Sequence, residues 1–211
     1  RLRLDCLPAY PRRIPHTHVH RTRTRRWRKR SATGTFAGMN ANLNVGCGEF
    51  SQPGWLNTDF DPSFAHPGHE FLQTTPEDPF PFPDDSFERV YCGHVIEHVP
   101  YHQVPDFLRN IRLILRPGGQ LGVVGPDTFK TLQEWHAGRE PWELVTRVLE
   151  SHPDVDHPDR HHWNCEESRM AGLLHRAGFT TEIFDMSVPQ PALADWPVVA
   201  YTAWQFGILA R

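Results

Sequence analysis

Leu43-Asn44-Val45-Gly46-Cys47-Gly48 is the stretch on which the reading of this chain turns, because Asp59 follows Gly48 by 11 residues. An apolar strand runs into a glycine turn, and a second strand, Trp55-Leu56-Asn57-Thr58-Asp59, ends on a carboxylate. Gly46 and Gly48 lack a Cβ, so the backbone there can take unusual torsions and come very close to a ligand. A carboxylate at the tip of the next strand can accept both hydroxyls of a ribose. Together these features point to a nucleoside-containing cofactor. A nicotinamide dinucleotide fits poorly, since its loop carries a third glycine, a helix N-terminus for the pyrophosphate and an acid about 20 residues further on. Here Glu49 follows Gly48, and its charge would repel phosphate but suit an ammonium group. Phe50-Ser51-Gln52-Pro53-Gly54 is also too short and too broken for a crossover helix.

The pattern on either side of this turn alternates strands with helices, which predicts an α/β sheet. Strands are expected at about 41–47, 54–60, 69–73, 89–93, 120–125, 180–186 and 199–209. The strongest helix signal is 103–115, where Val104, Phe107, Leu108, Ile111, Ile114 and Leu115 share one face. Pro117-Gly118-Gly119 reads as its stop. A second helix near 166–177 places Met170, Leu173, Leu174 and Ala177 on one stripe, and helical turns are expected at 128–136 and 141–150.

Composition narrows the partners. The 211 residues suit one domain with a sizeable core. The net charge of −3 conceals two opposite parts: residues 1–30 hold 11 of the 22 basic groups with Asp5 as their single acid. The remaining chain carries −13, which argues against a nucleic-acid duplex as the main partner of the folded part. The run Arg21-Thr-Arg-Thr-Arg-Arg-Trp-Arg-Lys-Arg30 can be read as a polyanion-binding arm, but not as a secretory signal, because no apolar stretch follows it. Residues 1–38 have no periodicity that could build a core, and the first methionine is Met39, so they read as a disordered tail or a misplaced start. No apolar run is long enough to span a membrane. Cys6, Cys47, Cys92 and Cys165 form no Cys-x-x-Cys pair, which suits a reduced, cytoplasmic setting.

Further along come Phe80-Pro-Phe-Pro-Asp-Asp-Ser-Phe87, then Arg89-Val-Tyr-Cys-Gly93, then His94-Val-Ile-Glu-His98, then Leu115-Arg-Pro-Gly-Gly-Gln-Leu-Gly-Val-Val124. In this order these pieces resemble the class I S-adenosylmethionine-dependent methyltransferases. The likeness is to the small branch with a His-Val-(Leu/Ile)-Glu-His segment and a Leu-(Lys/Arg)-Pro-Gly-Gly hairpin, and it covers about 40–186. The resemblance implies a Rossmann-like, seven-stranded sheet ordered 3-2-1-4-5-7-6 with an antiparallel last strand. The connection from strand 1 to strand 2 would be shortened, a form familiar in that branch. S-adenosylmethionine would lie across the carboxyl ends of strands 1 and 4, where the strand order reverses. Gly46, Cys47 and Gly48 would then approach its methionine part, Asp59 would take the ribose hydroxyls, and Phe60 would lie against the adenine. Thr75 would read the adenine through its backbone, and Gly93 would leave room for the sulfonium methyl.

Methyl transfer is a displacement at carbon already activated by the sulfonium, so alignment and exclusion of water are the protein's main tasks. His94, just past the strand tip, is the first candidate for a base, if the acceptor needs one. Asp127, after strand 5, and His162 in a His-rich loop are the candidates on the acceptor side. Asp127 precedes and His162 lies within a long insertion, about 128–164, that reads equally as an acceptor-binding lid or as a cover for the core. Glu97 and His98 read more readily as structural, and His152, Asp156, His157, Asp159, His161, His162 and Cys165 match no compact zinc spacing, so no metal is expected. The leading expectation is methyl transfer to a small molecule or glycan precursor. The alternatives are a methyltransferase-fold interaction module without catalysis, or a nucleic-acid methyltransferase using the basic arm. The latter lacks an Asn/Asp-Pro-Pro-aromatic segment after strand 4, where Gly93-His94-Val95-Ile96 stands.

Overall fold

The computed structural model describes residues 40–75, 78–151, 160–198 and 200–211. The expectations placed on residues 1–38, on His152, Asp156, His157 and Asp159 lie outside them. Seven strands, β1 (Asn42–Val45), β2 (Leu56–Asp59), β3 (Phe71–Gln73), β4 (Phe87–Gly93), β5 (Leu115–Pro126), β6 (Thr181–Phe184) and β7 (Gln205–Ala210), form one sheet. Their order is β3-β2-β1-β4-β5-β7-β6. The first five run parallel to one another, and β7 is antiparallel to both β5 and β6. The strand order therefore reverses between β1 and β4, the place where open α/β sheets hold ligands.

Helices α1 (Val104–Ile114) and α4 (Glu167–Arg176) pack on one face of the sheet. The predicted stripe of α1 is buried in full: Val104, Phe107, Leu108, Ile111 and Ile114 meet Leu43, Val90, Leu121 and Val123 from the strands. Met170, Leu173 and Leu174 of α4 complete this core. The opposite face is covered differently. Trp55, Tyr91, Val124 and Leu209 pack against Met186, Leu193 and Trp196, which lie in the irregular chain between β6 and β7. Gly122 admits the Trp196 ring, because a Cβ there would stand 2.7 Å from it.

Two boundaries differ from the sequence expectation. Pro117-Gly118-Gly119 does not separate helix from strand, since α1 passes directly into β5 at Leu115. Leu115 pairs with Phe87 and Gln120 with Arg89, so residues 116–119 bulge out of the ladder. β7 also starts at Gln205 rather than near 199.

The connection from β1 to β2 contains no helix, and a short loop of this kind must satisfy its backbone groups by other means. Asn57, which is fully buried, does so. Its Oδ1 accepts the Gln52 N–H (2.7 Å) and the Asn44 Nδ2 amide (3.0 Å), while its own Nδ2 donates to the carbonyls of Gln52, Trp55 and Glu70. Asn44 Nδ2 also reaches the Phe50 carbonyl at 3.1 Å. These two side chains take the place of helical hydrogen bonding. Asn57→Ala strands several buried groups, each costing about 1–3 kcal/mol, so urea denaturation should show a loss of about 2–4 kcal/mol. A loss below about 1 kcal/mol would mean that the loop holds itself.

Candidate active site

A cavity of about 540 Å³ opens at the carboxyl ends of β1, β4 and β5. Gly46, Cys47, Gly48 and Gly93 line one side, and His94, Glu97, His98 and His161 another. Arg147 and Val148 of α3 (Trp142–Glu150) contribute a third wall. α3 packs on α2 (Thr128–His136), and both belong to the long excursion after β5.

Gly46 and Gly48 both adopt left-handed torsions, φ +59° and +49°, which disfavour any other residue. A Cβ on Gly46 would stand 2.7 Å from Val95 Cγ2, whereas Gly48 faces open space. Asp59 is buried, and its Oδ2 accepts the Gly48 N–H (3.0 Å) while Oδ1 accepts the Asp61 N–H (3.0 Å). The carboxylate thus fixes the glycine turn, and each oxygen keeps acceptor capacity for a further donor. Cys47 is buried beside it, and burial together with the Asp59 charge pushes its thiol up to about 12. It is a neutral packing group.

Other expected residues stand elsewhere. Phe60 and Thr75 are exposed and do not line the cavity. Gly93 lines it, but the space above its Cα is filled by Tyr91, whose hydroxyl would be 2.5 Å from a Cβ. Tyr91 therefore dictates a glycine there. Asp127 is buried and both its oxygens cap helices: Oδ1 accepts the Lys130 N–H of α2 (2.9 Å), and Oδ2 accepts the Glu167 N–H that begins α4 (2.8 Å). It ties two helix starts to the end of β5 and does not line the cavity. His162 is exposed; its N–H donates to the Glu97 carbonyl at 2.8 Å, and it is the neighbouring His161 that reaches the cavity.

His94 sits where the sequence places it, past the tip of β4, in a left-handed conformation (φ +55°) secured by its N–H on the Val124 carbonyl (2.8 Å). Such a torsion costs a non-glycine residue energy and marks a held position. Its Nε2 takes a hydrogen bond from the Gln205 amide (2.7 Å), and its Nδ1 stands 3.2 Å from Glu97 Oε1. That second contact is close enough for an ion pair but is not aligned as a hydrogen bond, and neither Glu97 oxygen has a hydrogen-bonded partner. Glu97 is 1 % exposed, so its charge is compensated only by its neighbours. Burial pushes the carboxyl up, but His94 and the nearby His98 outweigh burial and hold it below the ordinary carboxylate value. Burial also lowers His161 below the ordinary histidine value. Glu97 thus meets histidines rather than backbone amides.

A family model described as a methyltransferase domain matches residues 43–123, from β1 into β5. The seven-stranded sheet with its reversed last pair completes the same fold. The matched domain and the fold are those of class I S-adenosylmethionine-dependent methyltransferases. Among solved structures, the chain is similar to an S-adenosylmethionine-dependent methyltransferase from Archaeoglobus fulgidus: TM-score 0.55 and 13% identity over 83% of this chain and 87% of that one. It is also similar to one from Mesorhizobium loti, with TM-score 0.50 and 16% identity over 81% and 90%. At such identities the likeness is one of fold. No curated protein matches the chain. Both neighbours are named as S-adenosylmethionine-dependent enzymes. Among the described residues no helix is long and apolar enough to cross a membrane.

The capping geometry assigns Asp127 a measurable structural load. Removing a helix cap costs about 0.5–2 kcal/mol, and Asp127→Ala removes two, so chemical denaturation should show a loss of about 2 kcal/mol. Unchanged stability would contradict the double cap.

Proposed function

We propose that this methyltransferase methylates a small polar acceptor, a hydroxyl-bearing small molecule or a glycan precursor, inside the cavity described above. One observation carries the reading: a single cavity joins the glycine turn to a wall of imidazoles, a guanidinium and a carboxylate. Its size is that of a small-molecule site. The open face of Gly48 and the remaining acceptor capacity of Asp59 fit the cofactor, Gly46 and Cys47 holding the turn and Asp59 accepting ribose hydroxyls. When bound, the sulfonium supplies the activated methyl group. Phe60 and Thr75, at the rim beyond β2 and β3, would contribute to the adenine side.

The chain's own contribution is positioning. His94, locked between Gln205 and Glu97, walls the place where the methyl would be delivered. A base role would require Nε2 to leave Gln205, so His94 acts first as a shaping group. Residues 39–211 would form one methyltransferase domain. The excursion after β5 would serve as its lid, since Leu144, Arg147 and Val148 line the cavity and exclude water. His162 would border that lid. The buried free thiols of Cys47, Cys92 and Cys165 suit a cytoplasmic setting.

Calorimetric titration of the full chain with S-adenosylhomocysteine, followed by a labelled-methyl screen over hydroxylated small molecules and sugars, tests the reading. A hydrogen bond to a charged group contributes about 1.5–3 kcal/mol, so Asp59→Ala should weaken binding roughly 10–100-fold. Wild-type affinity in that variant, or methylation confined to nucleic acid, would overturn it.

A further inference from the structure

We propose that Glu97, His98 and His161 form a binding site for a divalent transition-metal ion of the zinc class on the acceptor wall of the cavity. One ligand atom from each of the three lies within 4.8 Å of the others. Tetrahedral ligands about 2.1 Å from zinc stand roughly 3.4 Å apart, so side-chain shifts of about 1 Å would close the cluster.

The histidines are held in the form a metal needs. His161 Nδ1 donates to the Val148 carbonyl at 2.7 Å, and His98 Nδ1 donates to the Arg160 carbonyl at 3.3 Å. A carbonyl can only accept, so in both rings the proton is on Nδ1 and Nε2 keeps its lone pair. This arrangement, one ring nitrogen on a backbone carbonyl and the other free, is the usual setting of a metal-binding histidine. Opposite stands Glu97, buried, with neither oxygen hydrogen-bonded. A buried carboxylate without a hydrogen-bond donor, with a ligand atom of each of two imidazoles within 4.8 Å, is a place for a cation.

The two segments that carry the site are pinned to each other independently of any ion. His162 N–H donates to the Glu97 carbonyl (2.8 Å), and the Trp163 indole Nε1 donates to the Ile96 carbonyl (3.0 Å). Trp163 is buried in the main core, so the chain around His161 cannot drift from the turn that bears Glu97 and His98. His94 occupies the far side of Glu97, at Oε1, leaving Oε2 for the ion. Two imidazoles and one carboxylate favour zinc, cobalt, iron or nickel over magnesium or calcium, and leave coordination positions open. All three residues line the cavity, so those positions face the acceptor. An ion there would hold an oxygen of the acceptor, a hydroxyl or carboxylate. That role rests on the methyl-transfer reading, whereas the binding of the ion does not.

The test uses the untagged full chain, stripped with chelator and titrated with cobalt(II) and zinc(II) without S-adenosylmethionine. One equivalent should bind, and the cobalt protein should show the visible absorption of a low-coordinate nitrogen–oxygen site. His98→Ala and His161→Ala should each weaken binding at least about 100-fold, with circular dichroism confirming the fold. Failure of the wild-type chain to bind stoichiometrically, or full binding in both variants, overturns the site. S-adenosylhomocysteine titration of the same samples reports the cofactor pocket separately, so the two readings fail independently.

Discussion

The hydrogen bond between the buried side chains of Asn44 and Asn57 is the contact on which the rest of the site depends. It joins β1 to β2 beneath the glycine turn, at a point where the chain has no helix to organise the connection. Asn57 then satisfies one N–H and two carbonyls of that connection, work that a crossover helix would otherwise do internally, and reaches the Glu70 carbonyl before β3 as well. Buried polar networks of this kind are stabilising only when every member is satisfied, which makes them rigid. The rigidity passes to Gly48 through Asp59: the carboxylate that is offered to a ribose also holds the turn that is offered to the methionine part.

The acceptor side is built on a comparable principle with a different partner. The turn carrying Glu97 and His98 comes from the end of β4, and the irregular segment 160–163 comes from the end of the excursion after β5. Backbone and indole hydrogen bonds stitch one to the other. Asp127 fixes both flanks of that excursion, since its two oxygens cap α2 at its beginning and α4 just beyond its end. A long insertion can therefore carry side chains into a cavity and still be tied to the sheet. Its role in chemistry and its role in stability fall on different residues.

Much of the fold was legible because it rests on periodicity. The α1 stripe, the α4 stripe and the seven strands follow from apolar spacing; the two stripes bury what spacing names except half-buried Ala177, whereas the edge strands β3 and β6 bury little. The glycine turn was legible because a left-handed backbone leaves a mark on residue type. Asn57 was not, because a buried asparagine within Leu56-Asn57-Thr58-Asp59 carries no signal of the five groups it will bond. Asp127 was read as facing the cleft because its position at the end of β5 is that of a site residue; its capping partner Glu167 is 40 residues away and invisible to local pattern. The same limit separated His161 from His162. Both stand in one loop, and only the anchoring of Trp163 decides which ring turns inward.

The central claim is that the asparagine-braced glycine turn and Asp59 hold S-adenosylmethionine at the reversal of strand order between β1 and β4. A crystal structure of the chain with S-adenosylhomocysteine tests it most directly. The account predicts the ribose hydroxyls on the Asp59 carboxylate, the homocysteine part against Gly46 and Gly48, and the sulfur facing His94. A ligand seated elsewhere, or an Asp59 carboxylate that makes no contact with the ribose, would contradict it.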